Sequence, residues 1–241
     1  MFKVKYKRPE KLSDPHDDFN QATLKQILAK NDKDFTWSDY SFLYRPYAPA
    51  GTYEEVMYFL PETFLYLKTH ENDALDLIPP IIWFCSENID KLTKDGLAEI
   101  IKFEIMKCLN EWIKDFRIIH FDKDACFEKG WKFSHRDLVV NLESICEVTT
   151  ELIKYKVFNN LAFLFFEQLT QFNNDPIKAS WFLELSRARF GICSPPNETK
   201  ITSILENEQL LNDAYDLIWP NVLDEIDSPT YWKDTFNQLN I

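Results

Sequence analysis

Between Leu97 and Phe116 the apolar positions are Leu97, Ile100, Ile101, Ile105, Cys108, Leu109, Trp112 and Phe116, with charged residues between them. Such spacing gathers them on one face of a 3.6-residue helix and predicts an element buried on one side. From Leu138 the pattern repeats: Leu142, Ile145, Cys146, Thr149, Leu152 and Ile153 line one face, and Asn141, Glu143, Ser144, Glu147, Glu151 and Lys154 the other. Leu161 to Phe166 is apolar on all sides and continues to Leu169 and Phe172, which predicts a central helix covered by its neighbours.

Punctuation between these stretches is helical too. Asp175 before Pro176 pairs an N-cap acid with a first-turn proline, and Arg187, Arg189 and Gly191 supply last-turn cations and a stop, so a helix of about 176–190 is bracketed at both ends. Thr52 and Glu55 form a capping box that opens a helix toward Phe59 and Lys68, with Pro61 in its first turns or kinking it. Asn72 or Asp73 starts a further helix that Pro79 and Pro80 should stop; Thr199 to Leu205 and Glu208 to Ile218 add two more, the second ended by Pro220. Residues 117–121 and 131–133 are the only short strand candidates, on either side of a loop at 122–130. Residues 1–17, with Pro9 and Pro15, read as an extended basic arm before a first helix at about Asp18 to Lys30. No repeat period or low-complexity linker interrupts 18–241. The expected architecture is therefore all-α: a single-domain, irregular bundle of about eight to ten helices with at most a minor β element.

With 241 residues, 45% hydrophobic, and only four glycines, there is ample material for a core. Charge narrows the partners. The chain carries 27 basic against 39 acidic residues, a net −12, although residues 1–12 are +4 and residues 197–241 are −7. Nucleic acid is held by lysines and arginines that displace counterions, so a nucleic-acid partner is not expected. The longest apolar run, Leu77 to Cys85, contains two prolines and falls far short of the ~20 residues that span a bilayer, so no membrane partner is expected either. Five cysteines, an odd number without a CxxC pair, read as reduced thiols in a cytoplasmic protein, and residues 1–8 lack the apolar segment of a signal peptide.

Candidate chemistry is sparse. His16, His70, His120 and His135 are scattered, and His120 to Cys126 lacks the glycine and terminal glutamate of a calcium loop, so it reads as a solvated loop. Neither a phosphate-cradling glycine motif nor GxSxG can be found. Cys126 with His120 or His135 is the sole Cys and His grouping, without a third group to orient it. No catalytic residue, metal site or cofactor site is assigned. Two surfaces remain. The first is Phe42 to Glu55, where Tyr44, Arg45 and Tyr47 lie in a proline-stiffened loop; tyrosine and arginine are frequent interface anchors, but such a loop also staples helices together. The second is the acidic C-terminal region, where Asp213, Asp216, Asp224, Glu225 and Asp227 lie around Trp219 and Pro220, as a docking face or as the solvated side of a last helix that Trp219 closes.

An acidic, reduced, all-helical chain of this size without catalytic motifs, with the Tyr44 to Glu55 segment, resembles the larger immunity proteins that neutralise bacterial polymorphic or contact-dependent toxins. The resemblance implies a non-enzymatic inhibitor, an antitoxin that occludes the active site of a cognate toxin bearing a basic surface. A helical adaptor or scaffold in another intracellular complex, and an enzyme with an unrecognised site, are the alternatives.

Overall fold

The computed structural model describes residues 2–14, 16–114, 135–188, 195–225 and 237–239. Among the described residues every regular element is helical: α1 (Gln21–Ala29), a 3-10 turn (Asp32–Asp34), α2 (Trp37–Leu43), α3 (Tyr53–Leu67), α4 (Glu71–Glu87), α5 (Ile89–Lys94), α6 (Ala98–Lys114), α7 (His135–Lys154), α8 (Asn159–Leu169), α9 (Pro176–Ala188), α10 (Thr199–Leu205) and α11 (Glu208–Glu225). The all-α, multi-helix expectation holds, and the two strand candidates lie outside the described residues. The chain forms two compact units, 1–108 and 109–241, with the division inside α6. None of the described helices is long and apolar enough to cross a membrane.

In the first unit α3 packs on α4, and α4 on α2 and α5. Val56, Met57, Phe59, Leu60 and Phe64 of α3, and Leu77, Ile78, Ile81, Ile82 and Phe84 of α4, are buried. Each such side chain contributes roughly 1.5–3 kcal/mol of transfer free energy. That burial explains a difference from the sequence pattern: Pro79 and Pro80 do not stop α4, which continues to Glu87. Likewise Pro61 is the ninth residue of an unbroken α3 rather than part of its first turns. Each proline removes one backbone donor, whereas the turns on both sides of it bury apolar residues. The Thr52–Glu55 capping box forms as predicted.

The N-terminal arm is extended and packs on this unit. Phe2 meets Phe64 edge-on, Tyr6 meets Tyr53 edge-on, and Leu12 is buried. Gly51, at φ 135°, lets the chain pass close to it, since a Cβ there would come within 3.2 Å of both Leu12 and Val56. A β-carbon would thus meet both a steric and a conformational barrier.

In the second unit α9 is central, packing against α7, α8, α10 and α11. The residues from Ala179 to Ser186 are all buried, including Ser180, Glu184 and Ser186. Ser186 donates to the Phe182 carbonyl at 2.8 Å, and Arg187 donates to Glu184 at 2.8 Å. The sequence pattern assigned the central role to α8 instead. In α8, Leu161, Ala162, Phe165, Phe166 and Leu169 are buried, but Leu164 is exposed and Lys200 lies over the Phe163 ring at 5.1 Å. Cys108 and Cys146 occupy buried helix positions as expected, and Cys85 is buried too, none of the three in a disulfide. Cys126 and Cys193 lie outside the described residues. Pro220 does not end the last helix, since α11 extends to Glu225.

Candidate functional site

The strongest local feature is the link from α2 to α3. Asp39 accepts the Thr36 N–H and hydroxyl, each at 2.8 Å, which caps α2, and both its oxygens receive Lys30 Nζ at 2.8 and 2.7 Å. Burial alone would raise the Asp39 carboxyl, but these donors outweigh it and hold the group below its ordinary value. After α2 the chain turns back, with the Ala50 N–H bonded to the Phe42 carbonyl and the Ala48 N–H to the Arg45 carbonyl. Pro46 at the second position and φ 66° at Tyr47 in the third are the features of a type II turn, where glycine or asparagine usually stands. A tyrosine there is strained by roughly 1–2 kcal/mol.

The three candidates in this turn separate. Tyr44 is 0% exposed; its hydroxyl lies 2.9 Å from Thr63 Oγ1 and its ring meets Phe84 edge-on. Burial pushes its phenol well above the ordinary range. Tyr44 thus closes the core, offers a partner no side-chain surface, and leaves the candidate interface. Tyr47 does the opposite: it is 74% exposed, with its ring 5.4 Å from that of half-buried Trp83. Arg45 is exposed, its guanidinium 5.6 Å from the Phe19 ring, which meets Phe42 edge-on. Among the described residues Arg45 has no ion pair, so its donors remain open to a partner. Trp83 and Phe19 were missed in the sequence because they join the turn only through folding.

On α11, Asp213 and Asp216 are exposed, and Gln209 donates to Asp213 at 2.7 Å. Asp224 is eleven residues, or about three turns, beyond Asp213, which puts its backbone position on the same side of the helix. Trp219 and Glu225 are also α11 positions, whereas Asp227 lies outside the described residues.

A second centre was not visible in the sequence. Asp95, at the C-terminal end of α5, has a side chain only 4% exposed that receives Lys5 Nζ, Tyr6 OH and, at 3.2 Å, Tyr53 OH. The hydrogen bonds from Lys5 and Tyr6 hold its carboxyl below the ordinary value. The Tyr58 phenol, donating to Asp32 at 2.6 Å, is pushed up to about 12 by burial and that bond. Among the described residues no three His, Cys, Asp or Glu side chains converge as a metal site, and His120 to Cys126 lies outside them. Compared with family models, curated proteins and solved structures, the chain matches none.

Proposed function

We propose that this chain is a non-enzymatic, protein-binding inhibitor of the immunity-protein kind, which neutralises a cognate bacterial toxin by covering its active site. The observation that carries the reading is the Arg45–Ala48 turn. Its strained backbone holds Tyr47 largely in solvent, beside an arginine that has no ion pair among the described residues. Exposing a large ring from a disfavoured backbone conformation does little for the fold, whereas a stiff turn with Tyr and Arg at its tip is suited to anchoring a partner at small entropic cost. The net charge of −12 and the exposed Asp213 and Asp216 support a partner with a basic surface. The test is to mix the chain with the product of a toxin-domain gene adjacent to its own and measure both complex formation and toxin activity. A stoichiometric complex that abolishes activity supports the proposal; a complex that leaves the toxin active favours an adaptor. Absence of association with that toxin overturns the inhibitor reading.

A further inference from the structure

The extended arm alternates half-buried Phe2, Val4 and Tyr6 with exposed Lys3, Lys5 and Lys7. It follows a line of three carboxylates from three different elements. Lys5 and Tyr6 donate to Asp95 after α5. Arg8 Nε donates at 2.9 Å to Asp32 in the 3-10 turn, and its Nη2 donates at 2.6 Å to the Lys30 carbonyl. Ser13 donates through its N–H and hydroxyl, both at 2.9 Å, to the two oxygens of Glu55 on α3.

Among the described residues no backbone-to-backbone hydrogen bond ties residues 2–13 to the rest of the unit. The arm is therefore held as a docked peptide is held, by side chains entering prepared positions, rather than as a strand in a ladder. Between the arm, at Tyr6, Lys7, Pro9, Glu10 and Lys11, and Glu54 and Glu55 of α3 lies an open groove of about 500 Å³, so the arm is not packed flush along its length. The arm is basic in an acidic chain, the same complementarity that the proposed function ascribes to the partner.

We propose that the Asp32, Glu55 and Asp95 track is a binding site for an extended peptide segment bearing Lys, Arg and Tyr, and that the arm occupies it in cis as a self-ligand. A covalently linked segment acts at an effective concentration on the order of millimolar, so a weak self-contact is enough to keep unrelated basic peptides out. A partner segment that makes these contacts and additional ones to Glu54, which the departing arm uncovers, displaces the arm. In identifying that segment as the partner's, the inference rests on the inhibitor reading; the site itself can be tested without any toxin.

The test inserts a protease site between Asp17 and Asp18, both exposed, in the full-length chain, and cleaves it after folding. A fluorescent synthetic peptide of residues 2–14 is then added and its anisotropy followed, with circular dichroism as a check on the fold. The expected result is saturable exchange of the labelled peptide into a nicked protein that keeps its helical signal. Asp95→Asn, and separately Asp32→Asn, should weaken binding at least ten-fold, and a peptide with Lys5→Glu and Arg8→Glu should not enter. Three results would overturn the proposal: no entry of labelled peptide, loss of helical signal when the nicked arm departs, or equal binding by both variants, which would reduce the contact to general charge attraction. Toxin inhibition by a chain whose arm does not exchange would leave the inhibitor reading standing and remove only this one.

Discussion

Tyr44 and Tyr47 are three positions apart and have opposite tasks. Thr63 donates its only proton to the Phe59 carbonyl at 2.9 Å, so the Tyr44 hydroxyl must be the donor to Thr63 Oγ1. Tyr44→Phe should therefore cost about 1 kcal/mol in chemical denaturation and leave partner association unchanged. Tyr47→Asn relieves strain of roughly 1–2 kcal/mol and loses a ring contact worth ~0.5–1.5 kcal/mol. Its stability should stay near that of the parent while association falls at least ten-fold, as read by calorimetry; unchanged association would remove the turn from the interface. Acid should act through Asp95 and Asp39, both held below the ordinary carboxylate value. A depressed folded-state value gives stability that is present above the unfolded value near ~3.9 and is lost as pH falls through the folded one. Melting temperature should accordingly drop below about pH 4, and Asp95→Asn should flatten that acid limb.

At the scale of elements, the proline-containing helices provide the clearest check on whether burial overrides local preference. Pro80 is half-buried within α4. Replacing it by alanine restores a helix donor worth up to ~3 kcal/mol and loosens the unfolded chain by ~1 kcal/mol, so Pro80→Ala should stabilise by about 2 kcal/mol in urea titration. The same competition explains what could be read from the sequence. Capping at Thr52 and Asp175 was legible because it depends on residues within one turn, and Asp175 Oδ1 does accept the Lys178 N–H, at 3.3 Å. The course of α4 was not, because local chemistry says stop at Pro79 whereas residues distant in sequence supply the burial. The centre of the second unit was also hidden. Ser180, Glu184 and Ser186 make α9 look amphipathic, and their burial depends on hydrogen bonds that no hydrophobic pattern encodes. Ile100 shows the converse: it belongs to the apolar stripe of α6 by spacing but is exposed.

For the molecule as a whole, charge sets how the proposed partner would arrive. A chain at −12 attracts a basic surface through a field whose range contracts from ~10 Å at 0.1 M salt to ~3 Å at 1 M. Stopped-flow association should slow across that range with little change in dissociation, and Asp213→Lys with Asp216→Lys should slow it roughly ten-fold at low salt while leaving the helical spectrum intact. Tyr47 and Arg45 were legible as candidate anchors from residue type and proline flanks, but Trp83, 36 positions beyond Tyr47, was not. Asp95 was invisible for the same reason. Its hydrogen bonds to Lys5 and Tyr6 span 90 and 89 positions. That separation gives the arm a history during synthesis. At about 5–20 residues per second, the ribosome needs roughly 5–20 s after making Tyr6 to reach Asp95. Throughout that interval Phe2, Val4 and Tyr6 have no completed surface to settle on, so residues made well before Asp95 are among the last in this unit to lock, and their apolar side chains wait in solvent for their own carboxylate.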